Sequence, residues 1–164
     1  MLGALGSFSA GKWDQPLLQV SQLPLGTTIC YESVFSSHWR EQARSGAKFF
    51  VNITNDAWFF DTAAPYQHLA VSVLRAAELG RPVLRAANTG ISAVISAKGE
   101  ILSRAELNTR EILWADVALP LGEEMTFYTR WGDWFVWVCV AISFTILLAT
   151  GSIFSWLLFF FDIS

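Results

Sequence analysis

The chain has 164 residues and a formal net charge of −3, so its size suits one domain and its charge argues against a nucleic-acid partner. Hydrophobic residues make up 53% of the sequence, but they are concentrated at the C-terminal end. Residues before about 130 mix charged and apolar positions as a soluble domain does, whereas Trp134–Phe161 contains no charged residue and no histidine. The composition therefore predicts a domain followed by a membrane segment.

Two cysteines occur, Cys30 and Cys139. Cys139 lies inside the apolar C-terminal run, so a disulfide between them would have to join a soluble site to a bilayer, and we reject that pairing. No C-x-x-C pair and no Cys/His cluster at ligand spacing occurs, which gives no basis for a metal site or a cofactor. Residues 1–7 lack the basic region and the apolar core of a signal peptide, so we expect no export signal there.

The first part of the chain predicts two strands that lead to Cys30. Residues 1 to about 16 show no helix or strand period and are predicted as loop. Leu17–Val20 is typical of a short edge strand ended by Pro24, and the β-branched run Thr27–Cys30 favours a second strand. Cys30 then stands at a strand end, where a thiol is accessible and rigidly placed as a nucleophile. The alternative is a small buried hydrophobe, the commonest fate of a free cysteine.

A helix and a third strand follow. Good helix formers predict a helix over roughly Ser37–Ser45, with a glycine as its stop. Lys48–Ile53 is a mostly apolar run of strand length, a pattern typical of a strand covered on both faces. Strand, helix and strand indicate a βαβ crossover. The polar loop Thr54–Phe59 then lies at the carboxyl edge of the sheet, where open α/β sheets bind ligands, and we expect Cys30 and Asn55 at that same edge.

The next residues predict one more helix and a β-meander. Tyr66–Leu79 has the apolar spacing of a helix and is ended by Gly80. Turn signals then separate three short strands. These strands are predicted at Pro82–Ala87, Ile91–Ser96 and Glu100–Arg104. One further strand is predicted at Glu111–Ala118.

The C-terminal segment is predicted to enter a bilayer. Thr126–Asp133 carries aromatic residues suited to the membrane surface. Trp134–Phe161 is longer than the ~20 residues that cross a hydrocarbon core, which predicts one tilted transmembrane helix. Arg130 precedes this helix and no basic residue follows it, so the positive-inside rule does not orient it.

Five blocks of sequence, in order, resemble the apolipoprotein N-acyltransferases, bacterial enzymes that complete lipoprotein maturation. The blocks are Ile29–Glu32, Val51–Phe59, Pro65–His68, Leu74–Arg81 and Arg85–Gly90. The resemblance continues through Thr126–Asp133 into the terminal helix. It implies the nitrilase (carbon–nitrogen hydrolase) superfamily, with an αββα sandwich and a Glu–Lys–Cys triad. The expected α/β fold is therefore a partial nitrilase-like sandwich over residues 1–125, followed by an interfacial segment and one transmembrane helix over residues 126–164.

The resemblance implies roles for the residues around the matched cysteine. Cys30 matches the triad cysteine and would carry a fatty acyl group as a thioester, from a phospholipid donor to the amine of a diacylglyceryl lipoprotein acceptor. The Tyr31 backbone N–H would stabilise the oxyanion. Glu32 either orients the lysine or the amine, or is a structural carboxylate paired with an arginine. Asn55 and Trp58 would shape the substrate pocket, with plain packing as the alternative for Trp58.

The resemblance also implies that much of the enzyme lies outside this sequence. In the family the general-base glutamate and the catalytic lysine lie upstream of the cysteine. No glutamate precedes Glu32, and the surroundings of Lys12, the only lysine before Cys30, do not resemble the family's motif. We therefore expect the C-terminal portion of the enzyme, inactive alone and lacking an N-terminal half. One face of the sheet holding Cys30 and Asn52 would then lie open.

The implied location is the bacterial inner membrane, with the catalytic domain on the periplasmic side. Two other functions stay open: a nitrilase-like amidase acting on small amides, and a partner or fragment without chemistry of its own. The terminal helix favours the acyltransferase over the amidase. His68 is expected to satisfy backbone groups rather than to act as a base. The charged residues Arg75, Glu78, Arg81 and Arg85 are expected to form a structural network rather than to bind substrate.

Overall fold

The computed structural model describes residues 11, 15–60, 62–120, 122 and 124–161, the last of these from residue 151 as backbone only. It contains one sheet of six strands in sequence order. The strands are β1 (Leu18–Val20), β2 (Leu23–Ile29), β3 (Phe49–Asn55), β4 (Val83–Asn88), β5 (Ala93–Ile95) and β6 (Ile101–Arg104). The helices are α1 (Ser36–Arg44), α2 (Ala64–Leu79), α3 (Phe127–Trp131) and α4 (Trp134–Phe161). The predicted loop at residues 1–16 and Lys12 lie almost wholly outside the described residues.

Strands β2, β3 and β4 are parallel; β1 pairs antiparallel with β2, β5 with β4, and β6 with β5. The α1 crossover between β2 and β3 confirms the predicted βαβ unit, and β4, β5 and β6 confirm the meander. The mixed α/β architecture of the expected fold class is therefore confirmed. The predicted helix at Tyr66–Leu79 is also present, and it begins two residues earlier because Pro65 fits the first turn of a helix.

The β1–β2 hairpin differs from the prediction that Pro24 ends the first strand. Val20 pairs with Leu23, so only Ser21 and Gln22 form the turn, and both have positive φ angles, 49° and 69°. This is the geometry of a two-residue hairpin turn. Pro24 lies inside β2, where its carbonyl accepts a hydrogen bond from the Lys48 N–H at 2.8 Å. Pro24 is tolerated inside the strand because its carbonyl oxygen takes part in the pairing and no N–H is required at this position.

The predicted strand at Glu111–Ala118 is wrong. Residues 111–120 form neither strand nor helix. Leu113 and Trp114 instead line a cavity of about 430 Å³ together with Val51 and Leu84 of the sheet. Two apolar residues of the predicted strand thus line a cavity beside the sheet, while the backbone of residues 111–120 pairs with no described strand.

The two faces of β3 have different environments, so the prediction of a strand covered on both faces is wrong. Phe50 and Asn52 are fully buried on the face packed by α1 and α2. On this face the ring centroids of Trp39 and Phe50 lie 4.7 Å apart. On the opposite face Val51 is half-buried and Ile53 is 51% exposed. An open face exists, but Asn52 does not belong to it.

The segment after the sheet is held by side chains that bind its backbone. Thr126 caps α3 by accepting the Thr129 N–H at 3.0 Å, and Arg40 of α1 donates to the carbonyls of Thr129 and Arg130, each at 3.0 Å. Gly132, with φ of 61°, then turns the chain into α4, whose bounds match the prediction.

Within the described residues, no helix combines the length and the hydropathy that a membrane crossing requires. The transmembrane role predicted for Trp134–Phe161 is therefore not confirmed.

Candidate active site

Cys30 lies on a sharp turn between strand and helix. Strand β2 ends at Ile29, and the short 3-10 helix Cys30–Val34, here called the elbow helix, begins at once. Cys30 has φ of +53° and is partly exposed. A left-handed conformation costs a non-glycine residue ~1–2 kcal/mol, so surrounding contacts must hold it. Such strain is common at functional sites because it aims a side chain outward.

Two side chains hold the elbow helix, one from within it and one from β3. The Glu32 carboxylate accepts the Ile29 N–H at 2.8 Å, so Glu32 binds backbone, and no arginine among the described residues pairs with it. From β3, Asn52 Nδ2 donates to Thr28 Oγ1 at 2.9 Å and to the Cys30 carbonyl at 3.5 Å. These bonds fix the backbone on both sides of the Cys30 α-carbon.

Arg85 of β4 organises the buried side of the site. Its Nη1 donates to Asn52 Oδ1 at 2.5 Å and to Ser72 Oγ at 3.3 Å. Its Nη2 donates to Asp56 Oδ2 at 2.8 Å, and its Nε donates to the Ile91 carbonyl at 3.2 Å. Because Arg85 binds the amide oxygen of Asn52, the amide nitrogen must face Thr28 and Cys30. The predicted structural role of Arg85 fits these contacts, but none of the partners named here is Arg75, Glu78 or Arg81, with which the sequence had grouped it.

His68 connects this network to the elbow helix. Its Nδ1 lies 2.9 Å from Asp56 Oδ1 and 3.0 Å from Arg85 Nη2. Its Nε2 lies 2.8 Å from Ser33 Oγ and 3.3 Å from the Cys30 carbonyl oxygen. The ring is only 4% exposed. The expectation that His68 satisfies backbone groups is thus only part of its role, because side chains from three elements meet it.

The charges in this cluster compensate one another. Burial opposes ionisation of Asp56, but the hydrogen bond from His68 and the charge of Arg85 outweigh it and lower the pKa of the carboxyl. Burial lowers the pKa of Arg85, and the Asp56 carboxylate opposes that shift. Both side chains are fully buried, and a buried ion pair of this kind is tolerated only when further hydrogen bonds satisfy it. Here Thr54 and His68 supply further hydrogen bonds to Asp56, and Arg85 donates further bonds to Asn52 and Ile91.

The predicted pocket residues lie at the same sheet edge but face solvent. Asn55 ends β3, where its side chain accepts hydrogen bonds from the Ala57 N–H at 3.2 Å and from Thr89 Oγ1 at 3.0 Å. Trp58, in the 3-10 helix Asp56–Phe59, is 73% exposed. Tyr31 is also exposed, next to Cys30. The structure therefore brings Cys30, Tyr31 and Glu32 together, and it places Asn55 and Trp58 at the neighbouring strand end.

The convergence of the buried polar residues was not predicted from the sequence. Their signal was present as periodicity: Asn52 and Thr54 share one face of β3, and Asp56 follows two residues later in the adjoining 3-10 helix. His68 and Ser72 are one helical turn apart on α2. All five are buried. Several polar residues on a buried face predict a shared hydrogen-bond network, since a buried polar group without a partner is costly.

The arrangement suits nucleophilic chemistry by Cys30. It presents a partly exposed thiol on a strained turn and supports that turn with a rigid, charge-balanced cluster. Among the described residues, no hydrogen bond reaches the Cys30 thiol and no group of three His, Cys, Asp or Glu residues is placed to hold a metal ion. A nucleophile that is weak at neutral pH needs a base, and the residues described supply none at this position.

The chain is similar to carbon–nitrogen hydrolases and, among them, to apolipoprotein N-acyltransferases. A family model of carbon–nitrogen hydrolases matches residues 5–127. An apolipoprotein N-acyltransferase from Geobacter metallireducens is 40% identical over 141 residues, which cover 86% of this chain and 26% of that protein. One from Methylococcus capsulatus is 42% identical over 130 residues, which cover 79% of this chain and 25% of that protein.

A solved structure shares the fold. The crystal structure of a carbon–nitrogen hydrolase from Helicobacter pylori G27 superposes with a TM-score of 0.59 at 20% identity, covering 67% of this chain and 45% of that one. The chain spans about a quarter of the length of the curated relatives that it matches, and the match is to their C-terminal portion.

Proposed function

Because the chain belongs to the carbon–nitrogen hydrolase family, we propose that it carries the nucleophile of a membrane-bound acyltransferase of the apolipoprotein N-acyltransferase type. The observation that carries this proposal is the position of Cys30. It is the cysteine of the matched region, and it stands on a turn with φ of +53° at the carboxyl edge of the parallel strands. Such a turn aims the thiol away from the sheet and towards a substrate.

The proposed reaction has two half-reactions that share Cys30. The thiolate attacks the ester carbonyl of a phospholipid, the tetrahedral oxyanion collapses, and the lysophospholipid alkoxide leaves with a proton from a general acid. The acyl group is then bound to sulfur as a thioester. The amine of a diacylglyceryl lipoprotein attacks this thioester, a proton is lost to a base, and the amide forms as the thiol is released.

Each predicted site residue has a role in this proposal. The Tyr31 backbone N–H donates to the oxyanion. Glu32 supports the turn through the Ile29 N–H and presents its second carboxylate oxygen to the amine or to a lysine. Asn55 and the exposed Trp58 border the pocket, where Trp58 offers an apolar surface to lipid. No cofactor takes part.

The base and the lysine come, in this proposal, from sequence that is not among these residues. The resemblance implies that both lie upstream of the cysteine, in the part of the enzyme that the chain does not match. The open face of the sheet around Ile53 supports this, because a half-exposed apolar strand face is typical of a surface that another element covers. We accordingly expect the chain to be inactive until that half is supplied.

The C-terminal helix is proposed to anchor the enzyme in the bacterial inner membrane, with the catalytic domain on the periplasmic side. The charge-free sequence Trp134–Phe161 supports this, as do Trp131 and Trp134 at its start, where aromatic residues prefer the bilayer surface. Alkaline carbonate extraction tests the anchor. The full chain should stay with the membrane pellet, and a variant ending at Arg130 should be released. Release of the full chain would overturn the anchor.

The decisive test is to trap the acyl-enzyme. The chain is co-expressed with the preceding part of the Geobacter metallireducens relative, and the complex is incubated with phospholipid and analysed by intact-protein mass spectrometry. We expect one acyl adduct on this chain, lost in Cys30→Ala and kept in the matched control Cys139→Ala. Addition of a diacylglyceryl lipopeptide should discharge the adduct and yield the N-acylated peptide.

Two outcomes would contradict the proposal. An adduct that survives Cys30→Ala would place the nucleophile elsewhere. Hydrolysis of small amides by the complex, without acyl transfer from phospholipid, would favour the amidase. The chain without its complement should form no adduct, because a nucleophile that lacks its base loses many powers of ten in rate.

A further inference from the structure

We propose that His68 is a positioning residue for the nucleophile, holding the elbow helix in place from the buried side through Ser33. The inference rests on the proposed function, because it assumes that Cys30 reacts. It goes beyond that function by assigning a role to a buried Ser33–His68–Asp56 chain that does not touch substrate.

The chemistry of its partners orients the His68 ring. Asp56 is ionised and can only accept hydrogen bonds, so the 2.9 Å contact with its Oδ1 places a proton on Nδ1. In a neutral ring Nε2 is then an acceptor, and it receives the Ser33 hydroxyl at 2.8 Å. The Thr54 hydroxyl donates to the same Asp56 oxygen at 2.9 Å, which further orients the carboxylate.

The hydrogen bonds that join Ser33, His68 and Asp56 have the distances of a serine hydrolase triad, but these residues do not act as one. Ser33 is fully buried, with an exposed fraction of 0%, so its oxygen cannot meet a substrate. The exposed nucleophile is Cys30, three residues earlier in the same elbow helix. The triad-like geometry therefore serves to hold the turn that carries the cysteine.

The elbow helix has anchors on opposite sides. On the exposed side, Glu32 binds the Ile29 N–H. On the buried side, the Ser33 hydroxyl donates to His68 Nε2 at 2.8 Å. A residue with positive φ returns to a common conformation when its contacts are removed. Loss of the His68 anchor should therefore release the turn, and the Tyr31 N–H with it.

Hydrogen exchange of the full chain in mild detergent measures this release directly. We expect His68→Ala to increase exchange in the peptide covering residues 30–34 by about tenfold, the effect of losing one strong hydrogen bond. Exchange in α1 and β4 should stay unchanged. Ser33→Ala should reproduce the local effect. The matched control is Gln67→Ala, the exposed neighbour on α2, which should leave exchange as in the wild type.

Steady-state kinetics of the co-expressed complex give a second readout. Misplacement of a reacting group by about 1 Å costs about 100-fold in rate, so His68→Ala should lower kcat by about that factor and leave KM within about twofold. His68→Gln keeps one donor and one acceptor and should recover kcat to within about tenfold of the wild type.

The readouts separate this proposal from a merely structural role and from the proposed function. Unchanged exchange at residues 30–34 in folded His68→Ala would overturn the positioning role. An equal increase of exchange throughout the sheet in both His68 variants would also overturn it, since that marks general destabilisation. If the wild-type complex transfers no acyl group, the proposed function fails, and the exchange measurements still decide whether His68 holds the turn.

Discussion

The two faces of strand β3 show how differently neighbouring residues of one strand are used. Asn52 is fully buried in a hydrogen-bond network with Arg85, whereas Ile53, the next residue, is 51% exposed. The polar residue is thus inside and the apolar one outside, opposite to the usual distribution. The covered face carries the network that supports the Cys30 turn, and the open face is the surface that we propose another element covers.

Burial on each face of β3 follows from whether its side chains have partners. Polar groups on the covered face are retained because each has a partner, and their removal one at a time leaves the others unsatisfied. Apolar groups on the open face contribute little until something covers them. Substitutions on the two faces should therefore differ strongly in their effect on the free energy of unfolding.

Removing the central cation should give the largest effect. Arg85→Met leaves the Asp56 carboxylate buried without its ion pair, and we expect a loss of about 3–5 kcal/mol in the free energy of unfolding. Urea unfolding in mild detergent measures it. The matched control is Arg104→Met, because the Arg104–Glu106 pair is exposed and should be worth less than about 1 kcal/mol. Equal losses in the two variants would mean that the buried pair is not the support inferred above.

The Asn52 amide should rank second. Asn52→Ala removes the donor to Thr28 and Cys30 and leaves an Arg85 N–H without its acceptor, a change that costs about 1–3 kcal/mol. The control is Asn88→Ala at the exposed end of β4, which we expect to lie within about 0.5 kcal/mol of the wild type. If Asn52→Ala left the free energy of unfolding unchanged, the network would not depend on this amide.

The open face should give a smaller effect on stability. Ile53→Thr keeps β-branching and removes apolar surface that is already half exposed, so we expect a loss below about 1 kcal/mol. The aggregated fraction in size-exclusion chromatography should fall at the same time, because the apolar patch becomes smaller. In the co-expressed complex the same substitution should cost more, and an identical cost with and without the complement would argue against a partner at this face.

Acid should give the smallest net effect because two carboxyl groups act in opposite directions. The pKa of Asp56 is lowered, so its contribution to stability is present above its ordinary value of 3.8 and is lost as the pH falls through the folded pKa. Burial raises the pKa of Glu78, with the charge of Arg75 opposing. The contribution of Glu78 is therefore present below 4.5 and is lost as the pH rises through the folded pKa.

The variant Glu78→Gln separates these two contributions. We expect the wild type to lose stability relative to this variant as the pH rises from 4.5, and the two curves to fall together below 3.8, where Asp56 titrates. Urea unfolding at a series of pH values measures both curves. Parallel curves above pH 4.5 would contradict the inferred shift of Glu78.

Local sequence patterns were enough to predict most strands and helices between Leu17 and Arg104, the position of Cys30 at a strand end, and the blocks that mark the family. These features are local, because propensity, turn residues and apolar periodicity act within a few residues. Where local signals were ambiguous the prediction was wrong, as with Pro24 inside β2 and the absent strand at Glu111–Ala118.

The support of the Cys30 turn and the identity of the open sheet face depend on tertiary packing. Arg85 and Asn52 are 33 residues apart in sequence, and His68 and Ser33 are 35 apart. Hydrogen bonds over such separations depend on how the parallel strands and α2 pack, and no local pattern specifies them. The positive φ of Cys30 likewise requires these distant contacts, because the local preference of a cysteine opposes it.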